Sequence, residues 1–110
     1  MDFKTMAEKL GLQENEFLEF VDLFLETTYS DLKALHSAFL KGDLKGVLET
    51  AHSIKGAAVN LGFHKIYEVA REVERKARNS CLEGIVDAIA RMRLNLESIR
   101  EDFVSRNSVP

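Results

Sequence analysis

The segment from Ala51 to Phe63, AHSIKGAAVNLGF, decides how the chain is read. Ala51, Ile54, Ala58 and Leu61 recur at steps of three and four, the spacing that lines one face of an α-helix. Two residues in it are not what a core or a helix selects. His52 sits beside inward-facing positions, and Gly56 stands where alanine would be better by about 1 kcal/mol. Folding alone explains neither residue.

Outward from that segment the chain reads as helices separated by short breaks. Asp43 is a good N-cap for this third helix, whose inward stripe begins with Leu44, Val47 and Leu48, and Gly62 closes it. Upstream, Phe17, Phe20, Val21, Phe24, Thr28, Leu32, Leu35 and Phe39 mark a long second helix that Lys41-Gly42-Asp43 stops. A short first helix carries Phe3, Met6, Ala7 and Leu10 and ends at Gly11. Downstream, Ile66, Val69, Ala70, Val73 and Ala77 face inward on a fourth helix, broken at Arg78-Asn79-Ser80. Ile85, Ile89, Met92, Leu96, Ile99 and Phe103 then alternate steps of four and three, the narrow seam of a bundle. Four long amphipathic helices with short connections predict an all-α fold: an antiparallel up-and-down four-helix bundle with a short additional N-terminal helix.

Composition narrows the function. The 110 residues suffice for one domain, 1–110, with Asn107-Ser108-Val109-Pro110 read as the start of a linker. Hydrophobic residues at 45% and charged residues at 30% describe a soluble globular protein. A net charge of −3, from 15 basic and 18 acidic residues, gives no basic excess for nucleic acid. Cys81 is the only cysteine, which excludes an internal disulfide framework and a thiolate zinc cluster. No apolar run approaches the roughly 20 residues that span a bilayer, and Met1-Asp2-Phe3-Lys4 opens no signal peptide. These features predict a cytoplasmic location without membrane insertion.

The chemistry concentrates on the third helix. Residues three, four and seven apart share a face, so Lys55, Gly56 and Val59 lie on one stripe with His52, at the border of core and water. Imidazole is a nitrogen nucleophile, largely neutral near pH 7, and can attack a phosphoryl group. Lys55 would offset charge on the phosphoryl oxygens, and Gly56 would let another molecule come close to the ring. The plain alternative makes His52 a satisfied border histidine, Lys55 a solvated charge and Gly56 a helix contact. Glu74 and Arg78 would then be an ordinary surface i, i+4 pair.

The segment His52-Ser53-Ile54-Lys55-Gly56-Ala57-Ala58-Val59-Asn60-Leu61-Gly62-Phe63 resembles the signature of the histidine-containing phosphotransfer (HPt) domain family. The detailed likeness runs from about Gly42 to Arg78. That family includes phosphotransfer domains of hybrid sensor kinases and the phosphoacceptor domain of the chemotaxis kinase. The resemblance implies a phosphorelay intermediate. His52 would accept a phosphoryl group on Nε2 from a receiver aspartyl phosphate or a kinase, and pass it to another receiver aspartate. It further implies Lys55 as the phosphate-side cation, Gly56 as the clearance residue and Glu74 facing the ring, where a carboxylate on Nδ1–H fixes the tautomer. Arg78 matches a position near the partner or phosphate, and Ala57 stands where many members have serine. The implied partners are response-regulator receiver domains and a sensor histidine kinase, docking at Val59 with Lys55, Arg71 and Arg78 at the rim. Such a chain is a monomeric phosphoryl carrier, not an enzyme with its own nucleotide site, and needs no cofactor. Mg2+ is expected only on the receiver. A helical binding module that carries no phosphate is the alternative from another class, and a hydrolase lacks a nucleophile near His52, since Ser53 points away. His36 and His64 are expected to be border and exposed residues, respectively, and not metal ligands.

Overall fold

The computed structural model describes residues 1–107. Among them are five helices: α1 (Phe3–Lys9), α2 (Glu14–Leu40), α3 (Leu44–Leu61), α4 (His64–Arg78) and α5 (Ile85–Asn107). The described residues form helices joined by short turns, with no strand among them. The linker start expected at 107–110 lies outside the described residues, except for Asn107, which ends α5. No helix among the described residues is long and apolar enough to cross a membrane.

Local chemistry sets the helix ends. The Asp43 carboxylate accepts from the Gly46 amide at 2.9 Å and satisfies one of the open donors at the start of α3. Gly62 ends the same helix at φ 84°, a left-handed conformation in which side chains are strained. That bend lets α4 begin two residues later and run back along α3. Gln13 and Glu16 form a reciprocal capping box at the start of α2. The break after α4 falls where the sequence places it, with Asn79 as C-cap and Ser80 at φ 57°.

Helix α2, about 40 Å long at 1.5 Å per residue, spans most of the molecule's 47 Å length. It packs against α3 and α5, while α4 packs against those same two helices, and α1 lies on α2. The core is the set of inward stripes: Phe17, Val21, Leu32 and Leu35 meet Val47 and Ile54, Ile66 and Val73, and Ile85, Met92 and Leu96. Ion pairs also tie the helices together. Arg106 near the end of α5 pairs with Glu14 at the start of α2, and Arg91 of α5 meets Glu72 of α4 at 3.1 Å.

Two apolar positions expected inside are not. Leu10 follows the last residue of α1 as its C-cap, so it leaves the seam and is exposed. Phe20 is 49% exposed, because the seam of α2 passes through Phe17, Val21 and Phe24 and leaves it at the rim. Leu44, Leu61 and Phe103 are half-buried at stripe ends, and Leu48 is half-buried within its stripe.

Two glycines of α3 make opposite predictions. At Gly46 a Cβ would stand 2.5 Å from the Asp43 carboxylate and 3.0 Å from Cβ of Ala38, whereas at Gly56 it would meet nothing within 4 Å. Gly56→Ala should therefore raise stability by up to about 1 kcal/mol, the helix-propensity difference. Gly46→Ala should fail to gain it, since the added methyl displaces the cap, which is itself worth about 1 kcal/mol. Thermal or urea denaturation of the two variants measures the contrast; equal gains would contradict the packing at Gly46.

Candidate functional site

The site begins with how closely two helices approach. Ala51 and Ala58 of α3, with Ala70 and Ala77 of α4, are all buried where these helices meet. Small side chains permit a close approach. Residues 70, 74 and 77 share a face on α4, so Glu74 is carried into the same interface and is only 3% exposed. Above it stand His52 and Lys55, one turn apart on the rim of α3.

Glu74 holds both. Its Oε2 lies 2.6 Å from Nδ1 of His52, and its Oε1 accepts from Nζ of Lys55 at 2.7 Å. Nη2 of Arg78 approaches that same Oε1 to 3.5 Å. The reading of Glu74 and Arg78 as an ordinary surface pair therefore fails, because the carboxylate is buried and is bound first to the other helix. Burial pushes the Glu74 carboxyl up, but hydrogen bonds from Lys55 and His52 and the charges of Lys55 and Arg78 outweigh it. The group is held below its ordinary value. Glu74 is thus ionised at neutral pH and can only accept. Nδ1 of His52 must donate, which in the neutral ring leaves Nε2 with its lone pair free. The His52 side chain is 67% exposed, so that nitrogen is open to another molecule.

Gly56, one turn beyond His52, presents bare backbone with open space around it, and Val59 continues the stripe as an exposed apolar residue. Lys55 does not stand free as a cation for phosphoryl oxygens. It is half-buried and bound to Glu74. Arg71 is exposed on α4 and makes no hydrogen bond to His52; it lines a surface groove of about 560 Å³ in which Lys55, Arg75 and Arg78 alternate with Glu68, Glu72 and Glu74. Among the described residues neither Arg71 nor Arg75 makes an ion pair. Ser53 points away from the ring, toward Asp31 of α2. Burial raises the Asp31 carboxyl more than the Ser53 hydrogen bond lowers it.

Two features went unread in the sequence. Arg75 joins the cations of this mixed-charge groove, and its spacing from Arg71 and Arg78 on one face of α4 could have signalled it. On the other flank, Leu10, Leu12, Phe20, Leu23, Thr27 and Ala57 are among the residues lining an apolar groove of about 570 Å³ between α2 and α3. His64 is exposed as expected, and His36, expected at the border, is exposed as well. Among the described residues no group of three or more His, Cys, Asp or Glu side chains is arranged to hold a metal.

Protonating Glu74 removes its bonds as an anion, which gives a pH prediction. Because its folded value is depressed, its stabilisation is complete above the ordinary 4.5 and is lost as pH falls through the folded value. The stability difference between the native chain and Glu74→Gln should be largest near neutral pH and shrink below about pH 4. Thermal melts from pH 3 to 7 measure it, and a difference constant with pH would contradict the assignment.

Comparison with known proteins places these residues in a family. No curated relative matches by sequence. Among solved structures, the chain is similar to histidine-containing phosphotransfer protein B (HptB) from Pseudomonas aeruginosa PAO1. The TM-score is 0.85 at 27% identity, covering 96% of this chain and 92% of that one. The model of the Hpt domain matches residues 19–102, a span that contains the paired α3 and α4 and every residue around His52. On that match the chain belongs to the Hpt domain family.

Proposed function

We propose that this chain is a histidine phosphotransfer protein of a two-component phosphorelay, with His52 as its phosphoacceptor. The observation that carries the reading is the buried Glu74 carboxylate on Nδ1 of an otherwise exposed imidazole, which leaves Nε2 bare and outward. Family membership and the likeness to a phosphotransfer protein support the same role. The fold behind it is read as an antiparallel up-and-down four-helix bundle of α2 to α5 with α1 added, supported by the ring of contacts among those four helices.

The proposed reaction is symmetric. The Nε2 lone pair of His52 attacks phosphorus of a receiver's aspartyl phosphate. The N–P bond forms as the P–O bond to the aspartate breaks, and the carboxylate leaves with that electron pair. The Nδ1 proton stays on the ring, shared with Glu74, so the growing positive charge of the imidazole is met by an anion already in place. Return to a second receiver reverses each step. A sensor kinase would load the same nitrogen. The chain acts as a monomeric cytoplasmic carrier without a nucleotide site, and the divalent cation of the reaction belongs to the receiver.

Docking is proposed on both flanks of the His52 stripe. Val59 and the apolar groove with Phe20 and Leu23 supply contact area, while Lys55, Arg71 and Arg78 at the rim steer encounter with an acidic receiver face. Gly56 leaves room for the partner's backbone.

Incubation with phosphorylated receiver domains tests the reading. Acid-labile label should appear on the native chain and be abolished in His52→Gln, which should fold normally because the position is exposed. Label retained by His52→Gln, or found on His36 or His64, would overturn it. Leu23 is 60% exposed, so Leu23→Asp should leave the melting temperature nearly unchanged. The same change should weaken receiver binding about tenfold, as an apolar contact residue at the interface does. Unchanged binding would remove the apolar groove from the docking surface.

A further inference from the structure

On the reading that His52 carries the phosphoryl group, we infer that Arg78 is a reserve counter-ion that releases Lys55 from Glu74 when His52 is phosphorylated. The geometry poses the problem that Arg78 solves. Lys55 is the cation nearest the reactive ring along α3, yet its ammonium is committed to Glu74 Oε1 at 2.7 Å. Turning that ammonium outward onto phosphoryl oxygens weakens its hold on a carboxylate that is 3% exposed, and a buried anion stripped of a partner is costly.

Arg78 sits where it can take over. Its Nη2 is 3.5 Å from the oxygen that Lys55 occupies, beyond a full hydrogen bond but within a small rotamer adjustment of one. Its side chain is 63% exposed and pairs with no other carboxylate among the described residues, so it is free to shift inward. The guanidinium also has more donors than the ammonium, which suits it to hold Oε1 alone. Lys55, with its stem along α3 and 25% of its side chain already exposed, then turns outward to the phosphoryl oxygens. The new negative charge on His52 supplies the pull, and Arg78 keeps Glu74 from being left unpaired. Throughout, the bond from Nδ1 of His52 to Oε2 stays as it is, because the exchange happens on Oε1. Arg78 therefore acts as a positioning residue, through Lys55, without touching the phosphoryl group.

A chain with His36→Gln and His64→Gln, phosphorylated with phosphoramidate, isolates His52 as the only histidine carrier. The lifetime of its phosphohistidine is followed by phosphorus NMR, and the Lys55 ammonium by nitrogen NMR, in that chain and in Arg78→Ala, Arg78→Lys, Lys55→Ala and the Lys55→Ala, Arg78→Ala double variant. The Lys55 signal should move on phosphorylation when Arg78 is present and stay in place in Arg78→Ala. Arg78→Ala should shorten the lifetime by about twofold or more, Arg78→Lys should restore it in part, and the double variant should match Lys55→Ala alone, the non-additivity of residues that act through one another. A Lys55 signal unmoved by phosphorylation overturns the inference. So does an Arg78→Ala effect that is absent, or equal with and without Lys55, since the latter would put Arg78 on the phosphoryl group itself. If no phosphohistidine forms on His52 with phosphoramidate or with receivers, the phosphotransfer reading itself has failed, which is a visibly different result.

Discussion

A buried, ionised carboxylate is the constraint around which the functional face of this protein is organised. Glu74 lies in the interface between α3 and α4, and an isolated charge there would cost several kcal/mol. The fold answers it from three positions, with hydrogen bonds at the His52 ring and the Lys55 ammonium and the nearby charge of the Arg78 guanidinium. Each donor is fixed in role by the carboxylate that it serves. The ring is held in one tautomer, the ammonium is kept beside the ring, and the guanidinium is kept within reach of both. Removing the carboxylate would leave three mobile surface side chains with no common geometry.

The rest of the helical packing serves to place that carboxylate. Alanines at 51 and 58 on one helix and at 70 and 77 on the other let α3 and α4 approach closely enough for a glutamate to reach across. Gly62, in its left-handed bend, turns the chain so that the two helices run back along each other. Gly56 does the reverse of packing. It gives up about 1 kcal/mol of helix propensity where nothing in the structure would obstruct a side chain. Stability is surrendered at the one turn beside the exposed nitrogen, where the proposed docking needs room. The two flanks of that surface differ in kind, charged along α4, where four cations stand among three glutamates, and apolar along α2, which suits the proposed docking of a partner.

Much of this was legible in the sequence because helical periodicity is a local property. Most stripe positions of the five helices, the Asp43 cap and the Gly62 stop follow from spacings of three and four and from the chemistry of single residues, while His52, expected at the border of core and water, stands exposed. What periodicity does not contain is which neighbour covers a given face. Phe20 fits the apolar spacing of α2, yet it falls just outside the seam and remains exposed. The role of Lys55 was only half legible: its stripe was readable, but its bond to Glu74 depends on the distance between two helices. Glu74 itself was identifiable through family resemblance, and its burial was not. In sequence it is one more carboxylate on a highly charged helix, four residues before an arginine, a pattern that on most helices marks solvent.

The central claim is that Glu74 dictates which nitrogen of His52 is bare. Long-range proton–nitrogen correlation of the unphosphorylated chain, recorded where the His52 ring is neutral, measures this directly. The account predicts that Nδ1 carries the proton and that Nε2 shows the shift of an unprotonated ring nitrogen, a preference that Glu74→Ala abolishes. A neutral His52 ring protonated on Nε2 in the native chain, or a tautomer unaffected by Glu74→Ala, would contradict it.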